Sequence, residues 1–278
     1  MAEQFSIITI NYNNAQGLEN TIRSVIEQDY TDYQYIVIDG GSTDQSPTVI
    51  DHYKDHIHYS VSEGDRGVYH AMNKGIAIAK GKYIIFMNSG DRFHNAHVLR
   101  TYTENMDDRY GVLYGNTIGL YRTDEELHLI QPQILNLSFW LFNSINHQAT
   151  AIKRELFNLF GQYNETLKIT ADWQFFVELN LLHQIKFKHI DQYLAYYDLH
   201  GMSSDHALST IHIGERETFI RERLPQFWNE YRLIQKVQEP KIKRVKHFEY
   251  IQGFPVAYRF LKSFMDILLF FLPKYKED

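Results

Sequence analysis

The chain has 278 residues, 44% of them hydrophobic and 22% charged, which is enough apolar material for one large domain with appendages and too much for a disordered chain. A formal charge of −6 supplies no basic footprint for neutralising phosphates, so no nucleic acid is expected as a partner. The absence of cysteine excludes disulfides and thiolate metal sites and fits a reducing compartment; no basic-then-apolar leader precedes the first strand pattern, so a cytoplasmic location is expected.

Residues 5–10 read as a first strand, followed by the polar loop Asn11-Tyr12-Asn13-Asn14 and by Leu18, Ile22, Val25 and Ile26 at helical spacing. Residues 33–39 form a second strand ending in Asp39-Gly40-Gly41, where paired glycines let backbone amides approach a ligand. A third strand, 59–62, leads through Glu63-Gly64-Asp65-Arg66-Gly67 into a helix with Val68, Ala71, Met72, Gly75, Ile76 and Ala79 on one face. That helix returns the chain to an apolar strand, 83–87, which breaks into Asn88-Ser89-Gly90-Asp91. Such alternation predicts an α/β fold, a mostly parallel, Rossmann-like sheet with helices on both faces. Each strand end carries an acid or amide: Asn11, Asp39, Asp65, Asp91. Ligands of open α/β sheets bind at that rim, and acids gathered there repel one another unless they serve a cation or a ligand's donors. Asp91, beside Asn88 and Ser89, offers hard oxygens suited to Mg or Mn.

Beyond Asp91 the pattern predicts a helix over 97–106, strands over 112–114 and 117–121, an irregular aromatic stretch over 137–146, a strand over 147–152, a helix over 171–182 and a last strand over 193–198, before His200-Gly201-Met202-Ser203-Ser204. Residues 205–235 read as helical and charged. The simplest partition is a catalytic domain over 1–205, with halves over about 1–110 and about 111–205, and a helical C-terminal extension over 206–278. In the extension Phe254, Tyr258, Leu261, Met265, Leu268 and Leu272 form one helical stripe among Lys and Arg residues. The stripe is too short and too charged to span a bilayer. It either lies on an anionic inner-membrane surface, making the protein peripheral, or packs on protein, a homodimer interface included.

Five segments, in order and spacing, carry a family resemblance: 7–14, Ser24-Val25-Ile26-Glu27-Gln28, 39–44, 67–75 with Ala71-Met72-Asn73-Lys74-Gly75, and 88–91. Over roughly residues 5–205 the chain resembles the family 2 glycosyltransferases of the GT-A fold, in particular a bacterial subgroup that builds surface polysaccharides. The resemblance implies metal-assisted, inverting transfer from a nucleotide sugar, with a UDP sugar expected, to a saccharide or lipid-linked acceptor, with Mn or Mg as cofactor. It places the divalent metal on Asp91 and His200 and the catalytic base at Asp172. For the nucleotide, rim and resemblance together name Thr9, Asn11, Asp39, Asp65, Lys74, Asn88 and Ser89. This chain departs from the family pattern at Gly40, Asn88, Gly90 and Ala171, where acids are common.

Other readings of the same residues stand beside these. Asp172 also suits a helix cap, His200 a surface or core histidine, Lys74 a solvated helix position, and His147-Gln148 either the acceptor cleft or a buried, hydrogen-bonded histidine. At the level of function the alternatives are a nucleotidyltransferase, which would be expected to carry a basic phosphate loop that 10–17 lacks, and a non-catalytic sugar-nucleotide-binding protein.

Overall fold

The structure, a computed structural model, describes residues 3–121, 125–199, 208–236, 251 and 254–271. Strand β1 (Phe5–Asn11) is buried along its whole length, its Phe5, Ile7, Ile8 and Ile10 in the core and its Ser6, Thr9 and Asn11 held by hydrogen bonds. Helix α1 (Ala15–Ile26) starts on Asn14, whose side chain accepts the Gly17 N–H, and turns Leu18, Ile22 and Val25 to the core. Then follow β2 (Tyr33–Asp39), α2 (Ser46–His52), β3 (Tyr59–Ser62), α3 (Val68–Ile78) and β4 (Tyr83–Phe86). These four strands pair in parallel in the order β3-β2-β1-β4. The chain moves outward from β1 to β3 and then crosses back to lay β4 on the other side of β1. The strand order therefore reverses between β1 and β4, and a crevice opens at their carboxyl ends.

The second half contributes β5 (Arg92–Phe93), α4 (Val98–Asn105), β6 (Val112–Leu120), β7 (Glu126–Leu129), α5 (Leu137–Phe142), β8 (Thr150–Lys153), α6 (Arg154–Phe160), α7 (Ala171–Val177), β9 (Phe187–Asp198) and α8 (Ser209–Arg223). Strand β8 runs antiparallel between β4 and β6, β6 pairs parallel with β9, and β5 and β7 add antiparallel pieces on β9 and β6. One core joins the halves: Phe5, Ile7 and Ile85 of the parallel strands share it with Leu113, Ala151 and Leu194, under Leu18 of α1 and Leu99 of α4.

The described elements differ from the sequence expectation where tertiary pairing decides the outcome. The two expected strands, 112–114 and 117–121, are one strand ending at Leu120, interrupted by a register shift against β9 at Gly115 and Asn116. Gly115 is required there, since a Cβ would lie 2.5 Å from Leu194 Cδ1. Residues His147–Ala149 form a 3-10 turn rather than strand, and the Thr150 hydroxyl donates back to the Asn146 carbonyl at 2.8 Å. The helix begun at Ala171 passes into a π-helical turn over Glu178–Leu182.

Contacts divide the chain into two units, Met1–Phe219 and Ile220–Asp278. The first holds the sheet. The second contains the helix Pro255–Phe271, where Val256, Phe260 and Phe264 are exposed together with Phe254 and Met265. Leu268 and Leu272 of the anticipated stripe lie outside the residues whose side chains are described. No described helix is long and apolar enough to cross a membrane.

Helix α3 lies directly on β1 through Gly75, where a Cβ would stand 2.4 Å from Ile8 Cγ2. Overpacking of that kind costs about 1–3 kcal/mol, more than the gain of up to about 1 kcal/mol from a better helix former. Gly75→Ala is expected to lower the urea midpoint without changing the slope; a midpoint at or above wild type would contradict this packing.

Candidate active site

The carboxyl end of β1 delivers Asn11, whose amide nitrogen donates to Asp39 Oδ1 at 2.7 Å. Asp39, fully buried at the end of β2, also accepts the Ser42 N–H at 2.9 Å and the hydroxyls of Ser42 and Ser62. Burial pushes its carboxyl up, but those hydrogen bonds outweigh it and hold the group below the usual range. Asp65, from the loop after β3, fixes Oδ1 on the Gly67 N–H at 2.8 Å and rests Oδ2 against Gly40. A Cβ at Gly40 would lie 2.5 Å from that oxygen, so a larger side chain there would require the Asp65 carboxylate to move aside.

The turn after β4 has the same construction. Gly90 sits at φ 106°, and a Cβ there would stand 3.1 Å from Asp198 Oδ2, at the end of β9. Asp91 Oδ1 accepts the Asp198 N–H at 3.0 Å, and its carbonyl takes the Thr21 hydroxyl at 2.7 Å. Burial pushes the Asp91 carboxyl up to about 6, against the charge of His147 and the hydrogen bonds from Asp198 and Gln148.

Asp172, in the first turn of α7, accepts the Tyr69 hydroxyl on Oδ1 at 3.0 Å and faces His147 Nδ1 from Oδ2 at 3.0 Å. Burial again pushes this carboxyl up, but His147, the Trp173 N–H and Tyr69 together outweigh it and hold it low. The amides ahead of α7 are served by Glu215 of α8, which accepts from Lys168, Ile169 and Thr170. Arg216, one residue on, places its guanidinium 4.5 Å from the Trp173 ring and donates to the Asn143 carbonyl at 3.3 Å.

Asn11, Asp65, Asn88, Ser89, Asp91 and Asp172 all line one cavity of about 770 Å³. Thr9, Asp39 and Lys74 do not line it. Thr9 turns into the sheet, donating to the Met87 carbonyl at 2.8 Å, and Lys74 pairs with Glu63 at 2.8 Å. His200 lies outside the described residues. The cavity also takes in residues that sequence reasoning had not assigned to it: Tyr12, 67% exposed, Tyr69, Asp198 and Arg216. Only Tyr12 had an available signal, a large aromatic in the loop that follows the first strand. Two amide oxygens on the lining, of Asn11 and Asn88, are buried without a partner among the described residues, which suits a ligand that brings donors.

Among the described residues no group of three or more His, Asp or Glu side chains is arranged to hold a metal. The adjacent carboxylates of Asp91 and Asp198 still have the appropriate donor chemistry. A divalent ion on a nucleotide commonly takes one or two carboxylates and completes its shell with phosphate oxygens and water.

Residues 6–165 match the family described as Glycosyl transferase family 2. A glycosyltransferase of Mycobacterium bovis named for PGL/p-HBAD biosynthesis is 28% identical over 180 residues, 63% of this chain and 68% of that protein. An uncharacterised glycosyltransferase of Mycobacterium tuberculosis is 33% identical over 186 residues, 65% of this chain and 70% of that one. Among solved structures, S. aureus TarS 1-349 in complex with UDP-GlcNAc superposes with a TM-score of 0.62 at 18% identity, covering 91% of this chain and 80% of that one. Another TarS structure is matched over 43% of its own chain, with a TM-score of 0.59. The mannosyltransferase PcManGT of Pyrobaculum calidifontis, in complex with GDP-Man and Mn2+, gives 0.60 at 13% identity, over 94% and 83%. These similarities show the GT-A fold.

The raised Asp91 carboxyl has a consequence for stability. Its folded value of about 6 stands above the ordinary 3.8, so the ionised form is penalised by folding: the penalty is absent below pH 4, grows between the two values and is complete above pH 6. Each tenfold loss of acidity corresponds to about 1.4 kcal/mol, so Asp91→Asn in metal-free buffer is expected to be more stable than wild type by about 2–3 kcal/mol at pH 7.5 and no more stable at pH 4. Urea melts at the two pH values check this, and equal midpoints at pH 7.5 would contradict it.

Proposed function

The chain belongs to glycosyl transferase family 2, and on that premise we propose that it is a metal-assisted, inverting enzyme transferring a sugar from a UDP-sugar to a hydroxyl of a saccharide or lipid-linked acceptor in polysaccharide assembly. One observation carries the reading. A single cavity is lined by the carboxylates of Asp91, Asp198 and Asp172.

In this reading Asp91 and Asp198 would hold Mn or Mg. The ion supplies charge neutralisation where negative charge develops on the departing diphosphate. The Mn2+ bound to PcManGT supports such a site, and the UDP-GlcNAc bound to TarS supports the donor class. Asp65 and the unpartnered Asn11 amide oxygen accept from the nucleobase and ribose, with Tyr12 stacked beside them. Asp39 acts from beneath, holding Asn11 and Ser42 in place rather than touching the ligand. Asp172 receives the proton of the acceptor hydroxyl during in-line attack, a contribution of about 10²- to 10⁴-fold. Because hydrogen bonds keep its carboxyl ionised, it is ready to accept at neutral pH.

Incubation of the full chain with a panel of nucleotide sugars and candidate acceptors, scored for nucleoside diphosphate release, tests this directly. UDP-sugar turnover is expected with Mn2+, and loss of turnover in chelator and in Asp91→Asn. Full activity in chelator would remove the metal from the account, and turnover restricted to GDP-sugars would overturn the choice of nucleotide.

A membrane surface as the workplace is proposed from the helix Pro255–Phe271. Its exposed Val256, Phe260 and Phe264, with Arg259 among them, suit an anionic lipid interface. The full chain is expected to sediment with anionic liposomes at low salt, and the double variant Phe260→Asp, Phe264→Asp to remain in the supernatant. Equal partitioning of the two would assign that face to protein packing.

A further inference from the structure

Asp172 meets donors that do not come from any substrate. Tyr69 donates to one carboxylate oxygen, and His147 Nδ1 stands 3.0 Å from the other. An ionised carboxylate only accepts, so Nδ1 carries a proton. The second ring nitrogen, Nε2, lies 3.0 Å from the Asn88 amide. Asn88 satisfies that nitrogen in either state of the ring, donating through Nδ2 to a neutral imidazole or, turned over, accepting through Oδ1 from a charged one. Contacts therefore run without a break from the turn that carries Asp91, through Asn88 and His147, to Asp172 on α7. His147 and Asp172 have equal, low side-chain exposure, 18% each, so water competes weakly for their hydrogen bond.

The local fold explains how His147 reaches both partners. The 3-10 turn His147–Ala149 precedes β8, which pairs with β4, and the turn after β4 carries Asn88. An extended strand at 147–149 would alternate its side chains across the sheet, whereas the turn presents His147 and Gln148 toward the same cavity.

We propose that His147 is a positioning residue for Asp172: its Nδ1–H fixes the carboxylate at the cavity wall, and its contact with Asn88 sets that carboxylate in register with the Asn88–Asp91 turn. This rests on the reading of Asp172 as the base. In the step itself the acceptor O–H bond breaks and its proton goes to Asp172. The acceptor oxygen bonds to the anomeric carbon, and the bond from that carbon to phosphate breaks with its electron pair leaving on the nucleoside diphosphate. His147 keeps its proton throughout. Its contribution is orientation, and a displacement of about 1 Å in a reacting group costs about 10²-fold in rate. The same contacts give a purpose to Asn88, an amide that can meet either state of the ring, where an acid would only accept.

Two substitutions separate positioning from simple structural support. The amide nitrogen of Asn overlays Nδ1 of histidine, and that of Gln overlays Nε2. His147→Asn is therefore expected to keep kcat within about tenfold of wild type, and His147→Gln to lose about 10²-fold, with donor KM and thermal midpoint unchanged in both. In an Asp172→Asn background, His147→Gln should add no further loss, because there is no base left to orient. Equal losses in the two single variants, or losses that appear in donor KM or thermal midpoint instead of kcat, would overturn the inference while leaving the base reading intact. Normal turnover by Asp172→Asn would remove the base reading itself, and this inference with it.

Discussion

Every residue of β1 is buried, and that constraint places the chemistry. A strand paired on both edges and covered on both faces cannot shift its register by one residue without turning its whole side-chain set over. Its end therefore delivers Asn11 to a fixed point beside Asp39 of β2, and its hydrogen bonds to β4 deliver the turn with Asp91 to another. The Ser89 N–H donates to the Ile10 carbonyl at 3.0 Å, continuing the ladder past the last regular pair. Thr21 of α1 completes the arrangement with one hydroxyl, donating to the Asp91 carbonyl and accepting the Gly90 N–H at 3.0 Å. Rigid elements thus hold both Asn11 and the Asp91 turn, as electrostatic catalysis at the proposed site would need if its dipoles are not to reorganise during reaction.

Two of the family departures share one geometric account. Gly40 and Gly90 stand where the resemblance leads one to expect acids, and in each case a carboxylate from another element lies in the space a side chain would need: Asp65 beside Gly40 and Asp198 beside Gly90. The surroundings of Asp172 are assembled from later parts of the chain, with Glu215 of α8 accepting from the amides ahead of α7 while the Asp172 carboxylate meets Tyr69, His147 and the Trp173 N–H.

The parallel half of the sheet was legible because its signals are local. Strands of four to seven residues alternate there with amphipathic helices, and strands 33–39 and 59–62 were read to the residue. Acids at successive strand ends share one rim by topology alone, which is why Asn11, Asp65, Asn88, Ser89 and Asp91 were found together. Position at the rim does not decide which way a side chain turns. Thr9 and Asp39 face inward to hydrogen bonds within the sheet, and Lys74 turns to Glu63, because those partners come from separate loops that no sequence period records. Strand β5 has two residues and β7 four mostly exposed ones, too little pattern for any period to show. Asp198 and Arg216 reach the cavity only through long-range packing, as the shift of register along β6 and β9 does.

In the proposed reading Asp172 acts as base in a single displacement, which inverts the anomeric centre. Stereochemistry reports on this more directly than any rate. The anomeric configuration of the product, read by proton NMR from the coupling at the new glycosidic carbon, is the deciding measurement. A donor with an axial diphosphate is predicted to give the equatorial linkage. A product that retains the donor configuration would require a nucleophile or a front-face path in place of a base at Asp172, and it would contradict the account.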